Sequence, residues 1–148
     1  MREQEFVGGA LGTSNPTREL LNEAVTLFGK DCRVAQLISV GCGMPRVVSL
    51  EVSEETTGVD KLLQRLSTDC EAVAKELSTR LFTVDAYLRL NVDRGLEAVS
   101  MTDWGTLGII ESHTCAYVET STVAEAFEAS LNRLRSRIGS LSLGQLSE

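Results

Sequence analysis

Phe6-Val7-Gly8-Gly9-Ala10-Leu11-Gly12-Thr13-Ser14-Asn15-Pro16 is the stretch that decides the fold of this chain. Phe6 and Val7 are typical of the end of a β-strand, and the glycines that follow allow backbone angles that other residues avoid. Asn15 and Pro16 are typical of a helix N-cap and of the first helical position. The stretch therefore predicts a strand end, a tight glycine loop and a helix start, a geometry that can hold an anion or a reactive group.

The rest of the chain continues the alternation of helix and strand. The first helix is expected to run to about Phe28, where Gly29 ends it. The apolar run Val34–Val40 is typical of a strand buried on both faces of a parallel sheet, and Gly41–Pro45 predicts a sharp turn after it. Apolar spacing and turn residues then predict a loop at 46–58, a helix at 59–79, a strand at 86–92, helices at 107–120 and 123–138, and a frayed tail at 139–148.

This order indicates an α/β fold with an incomplete sheet. It contains too few strands for a doubly wound sheet, and a small parallel sheet would leave an unpaired edge beside a nearly all-apolar strand. We therefore expect residues 1–138 to be part of a larger domain and residues 139–148 to be a flexible tail.

Composition excludes several classes of function. The formal net charge is −7 and the basic residues are not clustered, apart from three arginines near the end, which disfavours nucleic-acid binding. No apolar stretch is long enough for a membrane span. The four cysteines form no C-x-x-C pair, there is a single histidine, and no secretory signal is recognisable, so we expect free thiols, no metal or other cofactor, and a cytoplasmic location.

The motifs carry little catalytic chemistry by themselves. No G-x-S-x-G elbow is present, and His113 lies in a predicted helix without a partner that the sequence identifies. The glycines at 8, 9 and 12 match neither G-x-G-x-x-G nor a P-loop. They are therefore compatible with an anion cradle or with a tight turn alone, and Gly41-x-Gly43 is interpreted as a turn.

Taken together, four stretches resemble the C-terminal half of a patatin-like phospholipase domain of the fungal type. They are the loop and helix start at 9–16 with Arg18, Glu19, Leu20, Glu23 and Ala24; Ser39–Gly43; Tyr87–Val92 with Gly95–Glu97; and Thr114–Glu119, which contains Tyr117. The resemblance covers about residues 6–120. It implies an incomplete three-layer patatin-like sheet, with few parallel strands flanked by helices.

The resemblance also implies a function, a lipid acyl hydrolase that uses a Ser–Asp dyad. In that family the serine lies in an elbow near the N-terminal end, and the aspartate opens an Asp-Gly-Gly or Asp-Gly-Ala motif. In this chain Gly8-Gly9-Ala10 matches that motif, so Gly8 stands in the place of the aspartate and no catalytic residue is assigned. The residues that match the motif loop are Gly8, Gly9, Ala10, Gly12, Asn15 and Pro16. We expect a fragment that is inactive alone and that meets a lipid or ester substrate only when an N-terminal half completes it.

Two other functions stay open. The chain could be a non-catalytic interaction module that uses its exposed sheet edge to bind a protein partner. Alternatively, residues 9–16 could form an anion-binding site.

Overall fold

The computed structural model describes Gly9 and the ranges 13–44, 70–84, 86–100, 102–136, 139 and 141–147. In chain order the helices are α1 (Thr17–Phe28), α2 (Glu71–Arg80), α3 (Leu107–Val118), α4 (Ser121–Ser136) and α5 (Leu143–Ser147). The strands are β1 (Arg33–Val34), β2 (Leu37–Val40), β3 (Tyr87–Leu90) and β4 (Leu141–Ser142), and single 3₁₀ turns occupy Phe82–Val84 and Trp104–Thr106. This mixture of helix and small sheets confirms the α/β class. The predicted strand end at Phe6 and Val7, the predicted loop at 46–58 and residues 59–69 of the predicted helix 59–79 lie outside the described residues. Cys70, which that prediction places inside the helix, instead precedes α2 as its N-cap.

The first helix ends where Gly29 predicts, and it begins one residue later than predicted, at Thr17 with Pro16 as the N-cap. Asn15 Oδ1 accepts the Thr17 backbone N–H at 3.2 Å, which satisfies one of the donors left free at a helix start. At the other end Gly29 takes a φ of +81° and its N–H bonds the Val25 carbonyl at 2.9 Å. A positive φ favours glycine, so this residue ends α1.

The central sheet is parallel, as the apolar run at 34–40 predicts, but its strand covers only Leu37–Val40. Val34 belongs instead to β1, which pairs with β4 in a separate sheet. β2 pairs with β3 in the register Leu37↔Tyr87 to Val40↔Leu90. Leu37 lies in a core with Leu21 of α1 and Leu77 of α2, and Tyr87 packs against this core. Leu88 points to the opposite face and is also buried, and α4 contacts β3. Helices therefore pack around β3 more completely than around β2.

The prediction that β2 is buried on both faces is wrong. Its side chains alternate, with Leu37 and Ser39 buried while Ile38 and Val40 are 40% and 73% exposed. The reason is that α1 packs only on the face of Leu37 and Ser39. Among the described residues β2 also pairs with β3 alone, so it is an edge strand.

The prediction of a frayed tail at 139–148 is also wrong for the residues that the structure describes. β4 pairs antiparallel with β1, and α5 contacts α1. Leu143 and Leu146 are 3% and 0% exposed in the same core as Leu21 and Leu77. Two backbone hydrogen bonds hold the segment, from Leu143 N–H to the Cys32 carbonyl at 2.8 Å and from Gly144 N–H to the Lys30 carbonyl at 2.9 Å. Burial of two leucines outweighs the low propensity of a segment rich in serine and glycine.

The last two long helices match their predicted positions but bury little. α3 has no buried residue, and in α4 Ser130 is the buried one. Two apolar side chains of α4, Phe127 and Leu134, are 40% and 43% exposed. Within the described ranges no helix has both the length and the apolar character needed to cross a bilayer.

Candidate functional site: a polar network beside an open sheet edge

The predicted motif loop is only partly described. Gly8, Ala10 and Gly12 lie outside the described residues, so the place where Gly8 stands for an aspartate is not tested. Gly9 is exposed at a turn, and its carbonyl accepts the Thr13 N–H at 3.0 Å. Of the two helix-start residues, Pro16 is exposed and Asn15 is buried.

Asn15 ties the start of α1 to the start of α2. Its Nδ2 donates to the Cys70 carbonyl at 2.9 Å. Its Oδ1 accepts the Thr17 hydroxyl at 2.6 Å, in addition to the Thr17 N–H. Both ends of the amide are therefore engaged with protein groups, and Asn15 acts as a positioning residue rather than as a ligand-binding one.

Ser39 of β2 links that helix start to β3. The Thr17 and Ser39 hydroxyl oxygens lie 3.2 Å apart, and Arg89 Nη1 donates to Ser39 Oγ at 2.9 Å. Because Ser39 and Arg89 are directly paired in the parallel register, their side chains share one face of the sheet. That face is the one that α1 covers.

Arg89 is neutralised by Glu71, the first residue of α2. Its Nη2 donates to Glu71 Oε1 at 2.7 Å, and the Arg89 side chain is 14% exposed. Burial by itself would lower the pKa of Arg89, but the hydrogen bond and the negative charge of Glu71 outweigh burial and raise it. The pair is a structural ion pair, because the guanidinium would be costly to bury alone.

Asn91, just after β3, extends the network to the turn at the end of β2. Its Nδ2 donates to Glu71 Oε1 at 2.8 Å, and its Oδ1 accepts the Gly43 N–H at 2.7 Å. Gly43 has a φ of +110°, which favours glycine there. Gly41 is needed for a different reason, since a Cβ at this position would lie 2.3 Å from Asn91 Oδ1. The interpretation of Gly41-x-Gly43 as a turn is therefore confirmed.

Tyr117 of α3 joins the same network. The backbone N–H of Asn91 donates to the Tyr117 hydroxyl at 3.2 Å. Each of the four stretches that carry the patatin resemblance thus contributes a side chain or a backbone group to this network. They contribute, in chain order, Asn15, Ser39 and Gly43, Arg89 and Asn91, and Tyr117.

Sequence reasoning did not single out Glu71, Arg89 or Asn91 as members of a site. The available signal was the alternation in Tyr87–Val92, where Arg89 and Asn91 interrupt an apolar strand at every second residue. Such polar residues on the buried face of a strand need partners. Their partners are 18 to 50 residues away in sequence, so spacing alone does not reveal them.

The network offers no activated nucleophile. Ser39 Oγ accepts a hydrogen bond from Arg89 and lies within hydrogen-bond distance of the Thr17 hydroxyl, and no carboxylate or imidazole among the described residues hydrogen-bonds it. Burial, reinforced by Glu71, raises the pKa of the Cys70 thiol, which keeps it in its less reactive protonated form. Burial likewise raises the pKa of Tyr87.

His113 lies outside this network. It is exposed on α3, and its imidazole packs against the Gly95 backbone, where a Cβ would lie 2.1 Å from it. Gly95 has a φ of +90°, so the contact is made by the turn after β3. Among the described residues no three His, Cys, Asp or Glu side chains are grouped in a way that could hold a metal ion.

A groove of about 890 Å³ lies next to the network. One wall is formed by α1, with Glu19, Leu20 and Glu23, and the floor by the four consecutive residues Ile38–Gly41. Successive strand residues point to opposite faces, so only the edge of β2 can present all four to one groove. The groove therefore follows the open edge of the sheet.

Comparison with protein-family models, with curated proteins and with solved structures gave no match.

Proposed function

We propose that this chain is the C-terminal half of a patatin-like lipid acyl hydrolase domain and that it has no hydrolase activity by itself. In this proposal α1, β2, β3 and the helices around them belong to a three-layer patatin-like sheet, which the strands of an N-terminal half would extend. The observation that carries the proposal is the convergence of the four resembling stretches on one hydrogen-bond network.

The open edge of β2 supports the same proposal. An apolar strand at the edge of a sheet presents unpaired backbone N–H and C=O groups, and proteins normally cover such an edge or protect it with charged residues or proline. Ile38 and Val40 are exposed there without charged or proline neighbours on the strand. This favours a sheet that continues beyond β2.

The proposed lack of activity rests on residues of the sequence. Gly8 has no side chain to accept a proton, and the 148 residues contain no G-x-S-x-G elbow. Loss of a nucleophile or its base in a hydrolase typically costs about 10⁴-fold or more in rate. Within the described network, Ser39 and Cys70 do not replace them, for the reasons given above.

An esterase assay tests this proposal. The purified chain is incubated with p-nitrophenyl butyrate, with and without a fluorophosphonate that labels active serines. We expect no turnover that the fluorophosphonate abolishes, for the chain itself and for the matched Gly8→Asp variant. Phosphonate-sensitive turnover by the unaltered chain would overturn the proposed inactivity.

A complementation assay tests the family relationship. An N-terminal half of a patatin-like enzyme, containing its elbow serine, is mixed with either form of the chain. We expect both forms to bind it and only Gly8→Asp to give turnover. Light scattering establishes whether the halves associate. An associated Gly8→Asp complex without turnover, or the absence of any association, would count against the relationship.

A second function is supported by the groove itself. The chain would act as a non-catalytic interaction module that binds a protein partner at the open β2 edge. Its four free cysteines favour a reducing compartment such as the cytoplasm. A monomer whose β2 edge is already protected from hydrogen exchange would refute this second function.

A further inference from the structure

The backbone of β2 has two sides with different partners. Leu37 N–H bonds the Ala86 carbonyl and Gly41 N–H bonds the Leu90 carbonyl, each at 2.7 Å. In a parallel ladder every second residue bonds the same neighbour. The N–H and C=O groups of Ile38 and Val40 therefore point away from β3, into the groove. A ligand that satisfies them must present an extended backbone.

The walls of the groove define the side chains that such a ligand carries. On the face beside Ile38 and Val40 the surface is apolar and exposed, which favours β-branched or other apolar side chains. On the other face α1 projects Glu19 and Glu23 over the edge, and neither carboxylate has an ion-pair partner among the described residues. Basic side chains complement them.

The spacing of the two carboxylates agrees with that of a strand. Glu19 and Glu23 are four residues apart on a helix, a rise of about 6 Å. Two residues along a strand cover about 6.6 Å, so alternate side chains of one strand have nearly the same spacing. A strand of four or five residues is long enough to pair with β2, which has four.

From these contacts we infer that the groove binds an extended peptide segment in which apolar residues alternate with lysine or arginine. The apolar residues lie beside Ile38 and Val40, the basic residues face Glu19 and Glu23, and the backbone pairs with the free edge of β2. This inference rests on the second proposed function, binding at the β2 edge, and not on the patatin relationship.

The test is a titration of the full chain with acetyl-Val-Lys-Val-Lys-Val-amide, followed by backbone amide shifts in NMR spectra. We expect the amides of Ile38 and Val40 to shift in a saturable manner. The matched peptide acetyl-Val-Glu-Val-Glu-Val-amide is expected to bind more weakly, because glutamates would face Glu19 and Glu23. Equal affinity for both peptides, or no shifts up to about 1 mM, would overturn the inference.

Two variants of the protein separate the backbone from the charge contribution. Val40→Pro removes an N–H that makes no bond to β3, so the sheet is retained while peptide binding is lost, whereas Val40→Thr keeps the N–H and binds. The double variant Glu19→Gln/Glu23→Gln alters exposed side chains only. It is expected to weaken binding of the lysine peptide by up to about 5-fold per carboxylate, as for exposed ion pairs. Unchanged affinity in both the proline and the glutamine variants would contradict the assignment.

Other occupants of the groove give distinct results in the same experiment. If a second copy of this chain occupies it, the Ile38 and Val40 amides shift with protein concentration and light scattering shows a dimer. If another part of the same chain occupies it, these amides are protected at every concentration without peptide. Either result would overturn the peptide assignment, and only the second would also refute the edge-binding function. Neither depends on esterase activity, so the patatin proposal is tested separately.

Discussion

Substitution of Asn91 by alanine is expected to destabilise the fold by about 2–3 kcal/mol. The change removes the acceptor for the Gly43 N–H, at 2.7 Å, and the donor to Glu71 Oε1, at 2.8 Å. A neutral hydrogen bond contributes about 0.5–1.5 kcal/mol and one to a charged group about 1.5–3 kcal/mol. Asn91 is only 9% exposed, so water replaces few of its contacts, but the Glu71 side chain is 31% exposed and is partly solvated after the change. The two ranges together give about 2–4.5 kcal/mol, and the partial solvation of Glu71 places the expected loss in the lower half of that range.

Urea denaturation followed by far-UV circular dichroism measures this loss. Asn22→Ala, on the exposed side of α1, is the matched control and is expected to change the free energy of unfolding by less than about 0.5 kcal/mol. Asn91→Asp keeps an acceptor for Gly43 but places a carboxylate against Glu71, so it is expected to be less stable than wild type at neutral pH. A loss below about 0.5 kcal/mol for Asn91→Ala would refute the reasoning that the network holds the β2 turn in place.

Two further predictions concern the core and the alkaline limit of stability. Leu146→Ala, at a fully buried position, is expected to lower the free energy of unfolding by about 3–4 kcal/mol. The control Leu27→Ala alters a side chain that is 65% exposed and is expected to lower it by less than about 1 kcal/mol. Equal effects of the two substitutions in urea denaturation would mean that residues 141–147 do not pack as described. Burial raises the pKa values of Cys70 and Tyr87 above their ordinary 9.0 and 10.0, so the unfolded chain loses these protons first and the free energy of unfolding falls as pH rises above about 9. Cys70→Ala is expected to flatten the onset of that fall, and an identical alkaline profile for this variant and the wild type would contradict the assignment.

The boundaries of α1 could be predicted from the sequence to within one residue because their determinants are local, whereas the start of α2 at Glu71 was not predicted. Asn15 with Pro16, and Gly29 at the other end, define α1 within a few residues of the chain. The apolar run at 34–40 likewise predicts a strand of a parallel sheet. In each of these segments the chemistry of near neighbours decides the structure.

The errors arose where distant contacts decide the structure. Residues 139–148 look like a tail because serine and glycine dominate them, yet Leu143 and Leu146 bury themselves against residues more than 60 positions away. The burial of β2 on both faces was inferred from its own side chains, whereas the exposure of Val40 depends on whether a neighbour covers it. Sequence periodicity shows which side chains of a strand are apolar, but it does not show whether a neighbouring element covers them.

The sequence gives only indirect evidence of the polar network. Arg89 and Asn91 are polar residues on the buried side of a strand, which indicates that partners exist without naming them. Glu71 gave no signal, because a glutamate at the first turn of a helix is common for reasons of helix stability alone. The resemblance to patatin-like domains supplied the stretches that meet there, but not their contacts.

The open sheet edge is the feature on which both proposed functions depend, and amide hydrogen exchange at β2 measures it directly. In the dilute full-length chain, Ser39 and Gly41 are expected to exchange slowly because their N–H groups face β3, whereas Ile38 and Val40 exchange nearly as fast as unstructured amides. Equal protection of all four amides at every protein concentration would show that the edge is already paired, and would contradict the account.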